Sequence, residues 1–247
     1  MAAVTAPPRR PDPDPDPASR AQIARLAARA YVRYLVPLTL LSALALAPWL
    51  WLALRMPPLA EVAGARGALR LAWIVGGTAW IGQLLLVGGA APLVRALDAG
   101  APLSQLGALG RGVLQLVRAA VPWLAAVAAI AIGGLALAVP GLVLLLLFST
   151  VAASTRRGLA GPLVESAALA RRSMLLVAAA VVAMLALDLA LVYAAQRLTL
   201  PAVPKKLGPE QLALYRRHVQ LVAVGVAAIA PWIATLLAAV HARASRA

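Results

Sequence analysis

The chain has 247 residues, 63% of them hydrophobic and only 13% charged, against about 45–50% and about 25% in soluble domains. That much apolar surface on so short a chain excludes an ordinary soluble domain and makes lipid the solvent for part of the fold. The absence of cysteine excludes disulfides, thiolate metal sites and cysteine nucleophiles. The net charge of +15 lies mostly between apolar runs, which fits anionic headgroups and the positive-inside rule better than nucleic acid.

Residues 1–17 form a leader with Asp12, Asp14 and Asp16 alternating with proline. Proline at every second position removes backbone donors and forbids helix, so this leader is expected to be extended and disordered. It does not resemble a secretory signal, because too many polar and amphipathic residues precede the first apolar run. Residues 18–33 read as a basic amphipathic helix, with Arg25, Arg29 and Arg33 on one face and Ile23, Ala27, Ala30 and Tyr34 on the other. Such a helix lies on an anionic membrane surface.

The membrane domain, residues 34–247, then offers apolar runs of spanning length, about 20 residues each. Tyr34–Leu54 and Leu69–Val94 are the first two. Val121–Ser154 is too long for one straight span. Gly133-Gly134 and Val139-Pro140-Gly141 interrupt it, so two short helices, 121–138 and 141–154, are expected, with a single bent span as the alternative. Ser173–Ala195 is the fifth span and Val219–Val240 the sixth, with Pro231 as a kink. Leu103, Leu106, Leu109, Val113 and Leu116 mark an amphipathic stretch before Trp123, and Pro162–Arg172 a short helix. Both are expected in the interface. The fold class is therefore an all-α polytopic membrane bundle of about six transmembrane helices with cytoplasmic interfacial helices.

With the N-terminus inside, fifteen of the 23 Lys and Arg residues fall on the inner side and eight on the outer. This bias places both termini in the cytoplasm. The loop carrying Arg197, Lys205, Lys206, Arg216 and Arg217 argues the other way, and a single bent span at 121–154 would move it inside. Trp49, Trp51 and Trp73 cluster at one boundary, and Trp123 is expected at the opposite one.

Few residues could carry chemistry. Asp188 is the one acid inside a predicted span, and an ionised carboxylate near the bilayer centre costs on the order of 2.5–3.5 kcal/mol on insertion scales. Gln83 is the nearest polar group by depth. The functional reading is a proton relay or substrate contact; the structural reading is a neutral acid hydrogen-bonded between packed helices. Ala72 and Gly76, Thr78 and Gly82, and Gly88-Gly89 place small residues where helices approach closely. Glu165 suits the start of the Pro162 helix, or pairs with an arginine of another loop. Arg25, Arg29, Arg33, Lys205, Lys206, Arg216 and Arg217 are candidate headgroup contacts. His218 and His241 fall at span boundaries. No metalloprotease helix motif, phosphate-binding glycine loop or Gly-x-Ser-x-Gly is present. No enzyme, metal or cofactor is therefore expected.

The stretch Val139-Pro140-Gly141, Gly161-Pro162-Leu163-Val164-Glu165 and Ala167-Ala168-Leu169-Ala170-Arg171-Arg172-Ser173 resembles a group of bacterial six-helix membrane proteins. The group includes the membrane domain preceding some glycerophosphodiester phosphodiesterases and stand-alone relatives of unknown function. The segment Leu103–Val117 is similar to that group's amphipathic segment. The resemblance implies six spans and cytoplasmic termini, and it marks Glu165, Arg172 and Ser173 as a cytoplasmic loop motif. It implies no catalysis, since this sequence carries no phosphodiesterase domain.

These readings lead to a non-catalytic protein of the bacterial inner membrane, an accessory or scaffold component that contacts anionic lipids and a protein partner. The alternative is a transporter or lipid-handling protein with a midplane polar site at Asp188 and Gln83.

Overall fold

A computed structural model of the chain describes residues 17–51, 78–199 and 209–245. The Pro-Asp leader, residues 52–77 with the expected start of the second span and Ala72, Trp73 and Gly76, Lys205 and Lys206, and the side chain of Arg216 lie outside the described residues. Among the described residues the only regular structure is helical. The helices are α1 (Pro17–Arg33), α2 (Leu35–Trp51), α3 (Trp80–Asp98), α4 (Gln105–Ala136), α5 (Ala138–Phe148), α6 (Ala160–Arg172), α7 (Met174–Thr199) and α8 (Pro209–Ala244). A 3-10 turn, Val151–Ala153, follows α5. Four helices are long and apolar enough to cross a membrane, or five if the bent pair α1–α2 counts as one span. The chain is thus built as a membrane protein.

The pattern of α1 explains its placement. Ile23, Leu26, Ala27, Ala30 and Tyr34 are buried, while Arg25, Arg29 and Arg33 are exposed. The buried stripe packs against α8, and at Tyr34 the chain turns by 88° into α2. Tyr34 holds the elbow from inside, its hydroxyl accepting from Leu103 N at 2.9 Å, while Gln105 Nε2 donates to Arg33 O at 2.9 Å. The start of α4 is therefore fastened to the elbow.

The expected amphipathic stretch and the helix at 121–138 are one continuous helix, α4. Ser104 opens it by accepting from Gly107 N, the usual N-cap bond. Pro122 sits inside it without ending it. Trp123 therefore lies within a continuous helix rather than at a helix start, and its half-buried indole donates to Ile81 O in the first turn of α3 at 2.9 Å. An indole N–H facing lipid finds no acceptor, and a carbonyl near the start of α3 supplies one.

The α4–α5 segment doubles back. Leu137 adopts an extended conformation (φ −161°, ψ 146°), and α5 returns against α4. A Cβ on Gly141 would lie 2.7 Å from Gly134 Cα, and one on Gly133 would lie 3.3 Å from Gly141 N, so glycine at positions 133 and 141 lets the backbones touch. At the other end of the hairpin Gln115 Nε2 donates to Ala152 O and Ser154 O at 3.2 and 2.9 Å. Contacts at both ends make this an antiparallel hairpin and dispose of the single bent span.

The remaining seams are close as well. A Cβ on Gly88 would meet Ala152 O at 2.7 Å, and one on Gly82 would meet Ala45 O at 3.1 Å. Ser42 of α2 donates to Ala227 O of α8 at 3.1 Å. The expected sixth span, Val219–Val240, is the C-terminal part of a longer helix, α8, with Pro231 inside it.

Candidate functional site

Two groups of polar residues are built into this frame. The first is the pair named from the sequence. Asp188, in the middle of α7, is 2% exposed and Gln83, in the first turn of α3, is 1% exposed. Gln83 Nε2 lies 2.8 Å from Asp188 Oδ1 and 3.0 Å from Oδ2, so one amide group serves both carboxylate oxygens. Gln83 Oε1 is buried and accepts no hydrogen bond among the described residues. The pair joins α3 to α7 across the bundle interior. A buried acid and amide in contact can tie two helices together, and they can also take up or release a proton or a polar group.

The second group lies at the end of the bundle where α3 and α8 finish and α4 begins. Its centre is Glu165 in α6, whose side chain is 16% exposed. Glu165 Oε2 accepts from the Ser154 hydroxyl and lies 3.5 Å from Arg156 Nε. Oε1 lies 3.6 Å from Nε2 of His241, near the end of α8. Arg95 of α3 donates to Ala153 O at 2.8 Å, and its charge acts on the same carboxylate. Ser166 fastens α6 a second time. Its hydroxyl donates to Leu147 O at 2.8 Å, so it must act as acceptor toward Thr150 Oγ1 at 3.0 Å, having only one proton to give. Alongside, Arg243 pairs with the buried Asp98 at 2.7 Å, closing the end of α8 on the end of α3.

Neither reading of Glu165 holds as expected: it lies beyond the first turn of α6, and the arginine it meets, Arg156, belongs to the loop leading into its own helix rather than to another loop. The structure does not bring Glu165 together with Arg172 and Ser173, which lie at the far end of α6. Arg172 is exposed, and Ser173 is buried at the junction with α7, its carbonyl accepting from Leu176 N and Val177 N. The candidate headgroup residues Arg25, Arg29, Arg33 and Arg217 are exposed. His218 and His241 are both buried.

Ser154, His241 and Arg95 escaped the sequence reading as partners of Glu165. Topological parity could have found them. In a six-span chain with a cytoplasmic N-terminus, the ends of spans two and six and the loop between spans four and five all face one side. Among the described residues no group of three or more His, Asp or Glu could hold a metal ion. No protein-family model, curated protein or solved structure significantly matches the chain.

Proposed function

We propose that this is a non-catalytic protein of the bacterial inner membrane, an accessory or scaffold component of a membrane assembly. The observation that supports this reading is the closure of Asp188 on Gln83. The acid within the bundle has both oxygens on a neighbouring amide, as expected of a helix tie. The Glu165 group fits the same reading, because it brings α6, the 150–155 turn and α8 together into one surface for a partner.

The proposed topology has six crossings, with α4 and α5 as a hairpin and both termini cytoplasmic. Its support is the return of the chain from Leu137 to Ser154 alongside the segment 115–137, which as helix is about 33 Å long and so comparable to the hydrocarbon core. The exposed arginines of α1, α4 and α6 fall at the end that holds Glu165, as the positive-inside rule requires of a cytoplasmic face. The resemblance to the membrane domain preceding glycerophosphodiester phosphodiesterases belongs to the same proposal.

The test is purification in mild detergent followed by native mass spectrometry. A stoichiometric protein partner is the expected result, and isolation of the chain as a unit active on its own would overturn the reading. A transporter or lipid-handling role is the second reading, favoured by the unused buried acceptor Gln83 Oε1. It requires Asp188→Asn and Gln83→Ala to abolish transport or lipid export at normal folded yield, and fails if both variants behave as wild type.

A further inference from the structure

A cavity of about 400 Å³ opens between α4 and the loop that leads into α6. Its volume falls in the range of small-ligand pockets, about 300–1,000 Å³. Its polar lining comprises Arg118, Arg156 and Arg157 with Ser154 and Thr155, and its apolar lining includes Ala119, Pro122 and Val151. Three guanidinium groups around one hollow repel one another, and no carboxylate is among the lining residues. Of the three acids whose side chains are described, Asp188 is tied to Gln83, Asp98 to Arg243 and Glu165 to the α6 network. Among the described residues Arg118 and Arg157 have no ion-pair partner. Arg156 meets Glu165 through Nε at 3.5 Å, and its side chain is 67% exposed.

The loop is built to hold this arrangement. Gly158 takes φ +82°, a conformation other residues rarely adopt, and turns the chain sharply before α6. Ser154 Oγ accepts from Arg156 N at 3.1 Å, and Gln115 Nε2 donates to Ser154 O, so the loop is pinned to α4 at its base. The first turn of α6, between the lining residues Gly158 and Pro162, has no side-chain cap. Its backbone N–H groups and dipole add positive potential beside the three arginines. Arginine clusters of this kind match phosphate oxygens in charge and in geometry.

We propose that this cavity binds the phosphate group of an anionic ligand through Arg118, Arg156 and Arg157. On the other side of Arg118, α4 presents an exposed apolar face, where Val117, Val121 and Leu124 are each more than half exposed. A phospholipid headgroup seated among the arginines would lay its chains along that face, so the same chemistry serves an anionic lipid or a free phosphate compound. The site is independent of the proposed partner and of the Asp188–Gln83 pair.

The full chain is reconstituted in nanodiscs of mixed phosphatidylglycerol and phosphatidylcholine, and retained lipid is read by native mass spectrometry. Retention of phosphatidylglycerol that falls by about tenfold or more in Arg118→Gln/Arg157→Gln, as loss of two charge-assisted contacts implies, supports the proposal with lipid as the source. Arg197→Gln, at an exposed arginine near the end of α7 outside the cavity lining, should leave retention unchanged. If wild type selects no lipid but is thermally stabilised by inorganic phosphate in a manner the glutamine variant has lost, the site stands with a soluble ligand. Should the glutamine variant fail to fold, Arg118→Lys/Arg157→Lys keeps the charge and loses the forked geometry, and several-fold weaker binding of the same probe is expected. Equal binding in wild type and variant, or binding of neither probe by wild type, overturns the proposal.

Discussion

Replacing Gln83 and Asp188 together should disturb the fold much less than replacing either alone. In Gln83→Leu the carboxyl group of Asp188 remains buried with its partner gone, and in Asp188→Val the amide of Gln83 is stranded. Either loss costs about 1–3 kcal/mol, the penalty for an unsatisfied buried polar group. In the double variant both groups are gone, and two apolar side chains of similar volume meet in an interior as apolar as lipid. The coupling energy isolates the pair. Hydrogen bonds between membrane helices average about 0.6 kcal/mol in such cycles and reach about 1.7. Gln83 Nε2 contacts both carboxylate oxygens, at 2.8 and 3.0 Å, and both residues are almost fully buried, which points to the upper part of that range. The assay is reversible unfolding of the four proteins in mixed micelles. A coupling energy below about 0.3 kcal/mol, the limit within which independent sites add, would refute the tie between α3 and α7.

Three further outcomes follow from the packing. Gly141→Val drives a side chain into Gly134 Cα, and backbone cannot yield there, so a loss of about 1–3 kcal/mol is expected for overpacking; an unchanged melting temperature would count against the close hairpin. Arg243→Leu leaves the buried Asp98 without its 2.7 Å partner, and a loss of about 1–3 kcal/mol in the same unfolding assay is expected, below the full figure for a buried pair because Arg243 is 39% exposed. Since the chain has no cysteine, single cysteines introduced at Ala101, Gly158 and Lys205 report topology directly. The six-crossing proposal expects an impermeant thiol reagent to label Lys205→Cys in intact spheroplasts and the other two only after lysis; labelling of all three on one side would sink it.

How much of this was legible in the sequence depended on which physical signal each element carries. The amphipathic helix α1 was readable because arginine spacing and apolar spacing agree at one period, but the 88° elbow was not, since the apolar pattern runs on through Tyr34 as though the helix led straight into the first span. The pairing of Gln83 with Asp188 was readable because polar groups at matching depth in lipid have few alternatives. The continuity of α4 was not. Its N-terminal half is amphipathic and its C-terminal half uniformly apolar, so the pattern changes while the helix does not. The acceptor of Trp123 was not legible either, since nothing in the spacing pairs its indole with Ile81 O of α3. The arginine-lined cavity was illegible because it depends on the turn at Gly158 and on the return of α5, which together bring Arg156 and Arg157 beside Arg118 of α4.

The polar bonding is distributed unevenly, and this has a consequence for how the protein opens. Lipid supplies no hydrophobic drive between helices, so the bundle interior depends on close glycine seams and a few isolated ties such as Ser42 to Ala227 O. The α6 segment depends instead on polar bonds through two residues, Glu165 and Ser166, while Val164, Arg171 and Arg172 stay exposed. It should therefore open locally without the bundle, and its amides should exchange with solvent faster than those of α3 and α8. Glu165→Gln keeps a partner for Ser154 but removes the charge facing Arg156 and His241. A loss of about 1 kcal/mol in local stability corresponds to roughly fivefold faster exchange, confined to α6 and the 150–155 turn. Exchange that rises equally in α3 and α8, or does not rise at all, would show that Glu165 does not hold this segment.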